Sequence, residues 1–245
     1  MDDRKHPARE HGEREGDRDG RRTITRNRAM IRFGWKKRDR GEFLAKVQQV
    51  RRMLGHRSIV MVGLMGCGKS SIGRRLATAL DLPFVDADEE IERAALKSIP
   101  EIFADHGEAY FRDGERKVIK RLLGNGPQVL ATGGGAFMNE DTRAAIKAHG
   151  ISIWLRADLD VLMRRVAKRD NRPLLKADNP SAVMQSLMDQ RYPIYASADF
   201  TIESRDTAHE VIVTEIVTAL AAGIDLGSET QPATAPANGS PHDDH

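Results

Sequence analysis

The chain has 245 residues, 40% of them hydrophobic, which is enough to bury a sizeable core in one large domain or two small ones. Its formal net charge of +3 is unevenly distributed, because residues 1–56 carry 17 Lys and Arg against 9 Asp and Glu, whereas the remainder carries 22 against 27. The single cysteine excludes an intramolecular disulfide framework. The sequence has neither the ~18-residue apolar run of a membrane span nor the apolar segment of a signal peptide. We therefore expect a cytoplasmic protein without membrane contact.

We interpret residues 1–56 as a basic and mostly disordered extension. The first 40 residues contain few apolar side chains and could bury too little surface to offset the entropy cost of ordering. Residues 42–54 place four apolar side chains at helical spacing, which predicts a short amphipathic helix. These four are Phe43, Val47, Val50 and Leu54. Binding of nucleic acid or an acidic membrane is an alternative role, but interleaved acids and the lack of a dense basic block with aromatic residues favour a solvated tail.

From residue 57 to residue 224, apolar runs alternate with helical patterns. The strand candidates are 58–62, 83–86, 128–132, 151–155 and 199–203, and the helical stretches are 69–80, 88–96, 108–123, 140–148, 158–169, 180–192 and 207–222. Short strands separated by helices predict right-handed crossovers and a parallel sheet. We therefore predict an α/β domain at 57–224, a three-layer α-β-α sandwich around a central five-stranded parallel sheet, and a polar disordered tail at 225–245.

The stretch GLMGCGKSS follows the first predicted strand. Gly63, Gly68, Lys69 and Ser70 fit the pattern G-x-x-x-x-G-K-[ST], in which backbone N–H groups bind phosphates, the lysine reaches the β/γ-phosphates and the serine hydroxyl binds magnesium. The alternative is a glycine turn with an unrelated lysine, but a strand before it and a helix after it favour a nucleoside triphosphate site. Cys67, inside this phosphate loop (residues 63–70), is expected to be a small filler residue rather than a redox sensor.

Polar or glycine residues also end the next two predicted strands. Asp86 and Asp88 should project the same way, toward the phosphate loop, so that one holds magnesium, directly or through water, and the other accepts a hydrogen bond or proton from a substrate hydroxyl. Acids that stabilise a helix N-terminus are the alternative. In ATGGGAF, the glycines at 133–135 would either offer N–H groups to substrate oxygens or form a loose turn.

Three arginines are candidates for anion binding. Arg112 and Glu115 in FRDGE are neighbours on one helix face, as an ordinary surface ion pair or as an arginine oriented toward a substrate anion. The polar segment at 168–180 suits a mobile lid that carries Arg172 onto the phosphates, with a solvated linker as the alternative. Arg191, in RYPIY, is placed to join the substrate site.

Taken in order, these pieces resemble the shikimate kinases, a family of the nucleoside-monophosphate-kinase-like branch of phosphate-loop proteins. The matching stretches cover about residues 57–222 and are GLMGCGKSSIGRRLA, FVDADEEIE, IFADHGEAYFRDGE, ATGGGAF, RPLL and RYPIY. The resemblance implies transfer of the ATP γ-phosphoryl group to the 3-hydroxyl of shikimate, a step toward chorismate and the aromatic amino acids. It also implies Mg²⁺ as cofactor, and we expect a monomer because nothing in the chain demands an interface.

The resemblance further implies residue roles in three groups. ATP would be bound by Gly66, Cys67, Gly68, Lys69, Ser70, Ser71 and Arg172, and magnesium by Ser70 and, through water, Asp86. Shikimate would be bound by Asp88, Arg112, Gly133, Gly134, Gly135 and Arg191. The catalytic group would be Lys69, Asp88 as the base, and Arg172, with Glu115 supporting Arg112.

Another small-molecule kinase of the same branch, acting on a different hydroxy acid or polyol such as gluconate, is the alternative function. The two arginines with the triple glycine argue against it. The chain departs from the family at Cys67, where Ala or Ser is usual, and at Ser71, where Thr is common. Arg205 is the candidate for the adenine contact, in a region where the match is loose.

Overall fold

A computed structural model of the chain describes residues 37–168 and 178–223. The chain divides into two compact units, residues 1–40 and 41–245, and the site discussed below lies in the second. The helices are α1 Lys37–Leu54, α2 Lys69–Leu80, α3 Ala87–Ala95, α4 Ile99–Leu123, α5 Glu140–His149, α6 Leu159–Ala167, α7 Pro180–Tyr195 and α8 His209–Gly223. The strands are β1 Ser58–Val62, β2 Phe84–Asp86, β3 Val129–Ala131, β4 Gly150–Arg156 and β5 Phe200–Glu203. Within the described residues, every helix is too short or too polar to span a bilayer.

The five strands form one sheet in the order β2-β3-β1-β4-β5, and every neighbouring pair is parallel. All five residues of β1 are buried, as expected for a central strand covered by helices on both faces. Each observed strand begins and ends within one residue of its prediction. The predicted α/β fold with a five-stranded parallel sheet is confirmed.

This topology brings the polar strand ends together. Parallel strands all point their carboxyl ends at one edge of the sheet, and ligands of such folds bind there. In this chain β1 ends at the phosphate loop, β2 ends at Asp86, and β3 ends just before the glycines at 133–135. Because β3 lies between β2 and β1, the glycines stand between the acidic pair and the phosphate loop.

Three helices extend three or more residues beyond their predicted bounds, and α1 is one of them, since it begins at Lys37 and not at 42. The predicted helix at 108–123 corresponds to the second part of α4, and the prediction omits the first part, which begins at Ile99, where Ser98 and Glu101 form a reciprocal capping box. Gly107, with φ 78° and ψ 177°, interrupts the helical backbone and separates the two parts of α4. Helix α7 continues through Pro193 to Tyr195, three residues past the predicted end at 192, and so places a tyrosine beside the glycines.

Helix α1 packs its apolar face inward. Phe43, Val47, Val50 and Leu54 are at most 6% exposed. The side chain of Gln49 donates a hydrogen bond to the carbonyl oxygen of Ala221 at 2.9 Å, which ties α1 to the last turn of α8. The helix therefore contributes to the hydrophobic core of the described domain.

Replacing Leu54 with alanine should lower the free energy of unfolding by about 2–5 kcal/mol, because the side chain is buried and its removal leaves a cavity. Urea denaturation followed by circular dichroism measures this loss. The matched control is Gln48→Ala on the exposed face of the same helix, which should leave the midpoint nearly unchanged. Equal effects from the two variants would mean that α1 does not pack on the core.

Candidate active site

The phosphate loop joins the end of β1 to the start of α2. Gly63 has φ 138°, and a Cβ at this position would lie 2.8 Å from both Cys67 Sγ and the carbonyl oxygen of Leu155, so only glycine fits. Gly68, at φ 99°, is the N-cap of α2, and no side chain caps the helix. The first N–H groups of α2, with the positive end of the helix dipole, are therefore directed at an anion-binding position.

Lys69 lies over this loop. Its Nζ donates hydrogen bonds to the carbonyl oxygens of Gly63 at 2.8 Å and Leu64 at 3.0 Å. These contacts hold the ammonium group beside the loop backbone, where it can neutralise phosphate charge. The neighbouring Cys67 is buried, in agreement with its reading as a filler residue.

Ser70 and Asp86 form an oxygen pair next to the helix start. The Ser70 hydroxyl donates to Asp86 Oδ2 at 2.8 Å, and Asp86 Oδ1 accepts the backbone N–H of Asp88 at 3.2 Å, which caps α3. Hydroxyl and carboxylate oxygens are ligands that Mg²⁺ accepts, usually together with water and substrate phosphates. Groups of three or more His, Cys, Asp or Glu side chains suited to a metal are absent from the described residues. The donor set therefore fits a magnesium ion held mainly by nucleotide phosphates.

Asp88 has an unusual acidity for an aspartate. Burial raises its pKa, the negative charge of Asp86 raises it further, and the positive charge of Lys69 opposes both, with the result that the pKa is about 6. The ordinary value is about 3.9. A carboxylate with a pKa just below neutrality is ionised at pH 7 and still basic enough to accept a proton, which is the property of a general base.

Arg112 and Glu115 form an ion pair in which one partner is buried. Arg112 Nη1 donates to Glu115 Oε2 at 2.7 Å, and the arginine also contacts Glu108 at 3.3 Å. The Glu115 side chain is only 4% exposed, whereas that of Arg112 is 36% exposed. Burial raises the pKa of Glu115, while Arg112 and Arg191 lower it by their positive charge. Glu115 therefore orients an arginine whose outer part remains accessible, and its own burial distinguishes this pair from one in which both partners are exposed.

The glycines at 133–135, called the glycine loop below, lie directly against the charged side chains of Asp88, Arg112 and Glu115. A Cβ on Gly133 would lie 2.6 Å from Glu115 Oε1 and 2.9 Å from Asp88 Oδ1. A Cβ on Gly135 would lie 2.7–2.8 Å from the Arg112 guanidinium. Side chains larger than hydrogen at these positions would push the charged groups out of place.

The middle glycine connects the loop to α7 and to the phosphate loop. Arg191 Nη1 donates to the Gly134 carbonyl oxygen at 2.8 Å, and the Tyr195 hydroxyl donates to the same oxygen. A Cβ on Gly134 would lie 3.7 Å from the Gly63 carbonyl oxygen. The structure thus brings the phosphate loop, the acidic pair and two arginines to one short backbone segment.

Other predicted residues have different positions. Arg172 and most of the predicted lid lie outside the described residues. Ser71 is half-buried in the first turn of α2, and its carbonyl oxygen accepts a bond from Arg75. The guanidinium of Arg205, the adenine candidate, forms an ion pair with Glu215.

The sequence reading missed a second contact of the phosphate loop. The Ser204 hydroxyl donates to the Cys67 carbonyl oxygen at 2.6 Å, and Arg165 Nη1 donates to Ser204 Oγ at 2.8 Å. Ser204 directly follows β5, and Arg165 lies in α6. Nothing in the local sequence distinguishes Arg165 from Arg164, which pairs with Asp206, so only the fold identifies it.

Comparison with known proteins identifies the family. The family model described as shikimate kinase matches residues 65–221. The chain belongs to the shikimate kinase family. The resemblance read from the sequence is confirmed, and as a member of this family the chain is a kinase.

Relatives and solved structures agree with this membership. The chain is 58% identical over 167 residues to a shikimate kinase of Mesorhizobium japonicum, covering 68% of this chain and 82% of the relative. It is 58% identical over 179 residues to the shikimate kinase of Bradyrhizobium diazoefficiens, covering 73% and 86%. The structure of a shikimate kinase from Acinetobacter baumannii in complex with shikimate is similar with a TM-score of 0.66 and 35% identity, over 71% of this chain and 97% of that one.

The raised pKa of Asp88 is directly measurable. In a carbon NMR titration of the free enzyme, one aspartate carboxyl should titrate near pH 6 and be missing from the Asp88→Asn variant, because burial and Asp86 favour its protonated form. Asp113 is an internal reference, since Lys117 and Arg116 lower its pKa below the usual range. If every aspartate titrated below pH 5, the interpretation of Asp88 as a base poised near neutrality would be wrong.

Proposed function

We propose that this enzyme transfers the γ-phosphoryl group of ATP to the 3-hydroxyl of shikimate and releases shikimate 3-phosphate and ADP. Family membership and the shikimate complex of the Acinetobacter baumannii relative support the substrate. The observation that carries the proposal is the contact of Arg112 and Arg191 with a glycine loop that adjoins the phosphate loop. A carboxylate-bearing acceptor and a phosphate-bearing donor would meet at this point.

The donor half of the site binds ATP. The backbone N–H groups of Gly66–Ser71, in the phosphate loop and the first turn of α2, donate hydrogen bonds to phosphate oxygens, and Lys69 places its charge on the transferring group. Ser70 and Asp86 would hold Mg²⁺, which when bound neutralises charge on the phosphates. Arg172 is proposed, from the sequence alone, to reach the phosphates from the lid.

The acceptor half orients shikimate by its carboxylate. Arg112 and Arg191 bind this group, since the planar guanidinium can meet a carboxylate with two hydrogen bonds. The glycine loop approaches the ring without side chains, and its backbone N–H groups serve as further donors. Glu115 keeps Arg112 in position, which its short bond and its burial support.

Asp88 acts as the base of the reaction. It accepts the proton of the shikimate 3-hydroxyl while the hydroxyl oxygen forms a bond to the γ-phosphorus. The bond from that phosphorus to the oxygen bridging it to the β-phosphate breaks, and ADP leaves with the electron pair. Because phosphoryl transfer depends mainly on positioning and charge neutralisation, these residues are sufficient parts for the reaction.

The surroundings of the enzyme are proposed from the sequence. We place it in the cytoplasm as a monomer whose partners are ATP and shikimate, without binding to nucleic acid or a membrane. Residues 1–36, the part of the basic extension for which the composition predicts a solvated segment, lie outside the described residues.

A coupled ADP-release assay with ATP, Mg²⁺ and shikimate tests the substrate and the site together. Arg112→Ala should lower kcat/KM for shikimate about 10- to 100-fold, because a charge-assisted contact to the carboxylate is lost. The matched control, Arg116→Ala on the same helix, removes only exposed pairs with Asp113 and Asp141 and should stay within about twofold of wild type. ADP release that depends on gluconate and not on shikimate would contradict the proposal.

The magnesium site is tested by the metal dependence of the same assay. Ser70→Ala should raise the Mg²⁺ concentration needed for half-maximal rate, since a hydroxyl ligand is removed. Thr78→Ala is the control, because its hydroxyl lies on the same helix and donates only to the Arg74 carbonyl oxygen. An unchanged Mg²⁺ dependence in Ser70→Ala would exclude this residue as a ligand.

A further inference from the structure

Tyr195, the last residue of α7, has its hydroxyl buried under the glycine loop. The side chain is fully buried and packs against Trp154 and Phe137, with ring centroids 6.0 and 6.2 Å away. The hydroxyl donates its hydrogen bond to the carbonyl oxygen of Gly134. The proposed roles above do not include this residue.

Arg191 shares the same acceptor. It lies four residues before Tyr195, hence on the same face of α7, and its Nη1 donates to the Gly134 oxygen at 2.8 Å. One backbone carbonyl oxygen thus accepts hydrogen bonds from a buried phenol and from the guanidinium proposed to bind the substrate. Burial raises the pKa of Tyr195 to about 12, which keeps the hydroxyl a donor throughout the neutral range.

The direction of this carbonyl decides what the glycine loop offers to a ligand. The C=O of Gly134 and the N–H of Gly135 belong to one planar trans peptide unit and point in opposite directions. A bond that fixes the Gly134 oxygen therefore fixes the Gly135 N–H as well. Glycine backbone has wide conformational freedom, so without such a bond the peptide unit could rotate.

We infer that Tyr195 is a positioning residue for the acceptor half of the site. Through the Gly134 carbonyl, its hydroxyl holds the glycine loop and Arg191 in the arrangement that receives the shikimate carboxylate. The inference rests on the proposed function for the identity of the acceptor. It assigns Tyr195 no contact with the reacting atoms.

The ATP half should be much less affected. The phosphate loop is held separately, by the bond from Ser204 to the Cys67 carbonyl oxygen and by Lys69 on the carbonyl oxygens of Gly63 and Leu64. Loss of the Tyr195 hydroxyl leaves these bonds in place. A positioning role therefore predicts an effect on shikimate that is larger than the effect on ATP.

The chain contains a matched control. Tyr192 lies on the same helix, and its hydroxyl donates to the Ala157 carbonyl oxygen at 2.5 Å. Its ring packs edge-on against Trp154 at 4.9 Å, and burial raises its pKa to about 12 as well. Tyr192→Phe therefore removes a comparable phenol–carbonyl bond away from the glycine loop.

The experiment compares wild type, Tyr195→Phe and Tyr192→Phe in the ADP-release assay, with melting temperatures of all three. Tyr195→Phe should raise KM for shikimate about fivefold, as expected for one lost hydrogen bond, while KM for ATP stays within about twofold. Tyr192→Phe should leave both KM values within about twofold. Equal kinetics of the two variants, or a parallel rise of both KM values in Tyr195→Phe, would overturn the inference, even if Tyr195→Phe also melted at a lower temperature.

A second measurement does not depend on turnover. The Gly135 amide resonance of the ligand-free enzyme, observed by nitrogen–proton NMR, should shift in Tyr195→Phe and remain in place in Tyr192→Phe. If wild type released no ADP with shikimate, the proposed function would fail, and a shifted Gly135 resonance would still support the contact between Tyr195 and the loop. An unmoved Gly135 resonance in Tyr195→Phe would overturn the positioning role whatever the acceptor is.

Discussion

The absence of side chains at Gly133–Gly135 is the constraint on which the site depends. A Cβ at Gly133 would lie 2.6–2.9 Å from Glu115 and Asp88, and one at Gly135 would lie 2.7–2.8 Å from Arg112, whereas one at Gly134 would lie 3.4 Å from Arg191, an ordinary contact distance. The loop ends β3, the strand between the acidic pair of β2 and the phosphate loop of β1. The glycine loop therefore sets the distance between the phosphate loop, proposed to bind ATP, and the side chains proposed to bind the acceptor.

Charges of both signs lie around this loop, which helps to explain how several of them can be partly buried. Lys69 interacts electrostatically with Asp88, and Arg112 and Arg191 interact with Glu115, while Glu108 also pairs with Arg112. A buried carboxylate such as Glu115 is tolerated because Arg112 pairs with it, and breaking such a pair typically costs about 3–5 kcal/mol. The carboxylate of Asp88 makes no ion pair with an arginine within the described residues, and burial together with the negative charge of Asp86 raises its pKa. The same environment thus yields a structural carboxylate and a basic one.

Much of the site could be predicted from the sequence because its chemistry is local. The phosphate loop and the pair Asp86 and Asp88 are short patterns at strand ends, and a parallel sheet brings strand ends to one edge. The omission of the first part of α4 has a local cause as well: Gly107 interrupts the helical backbone, and the capping residues Ser98 and Glu101 are the signal for a helix before it.

What the sequence could not give is contact between distant residues. Tyr195 is 61 positions from Gly134, and Ser204 is 137 positions from Cys67. Arg164 and Arg165 are adjacent and chemically identical, so the sequence does not distinguish them. In the fold, Arg165 donates to Ser204 and Arg164 donates to Asp206. The family pattern makes Arg205 the candidate for the adenine contact, whereas in the structure its guanidinium pairs with Glu215.

In the proposed reaction, the two arginines at the glycine loop select the acceptor by its carboxylate. This selection can be measured as the ratio of kcat/KM for shikimate to kcat/KM for its methyl ester, which keeps every hydroxyl and removes the negative charge. We expect a ratio of at least about 100, because the ester leaves the arginines without their anion. A ratio near one would mean that the arginines do not select the carboxylate and that other groups recognise the acceptor.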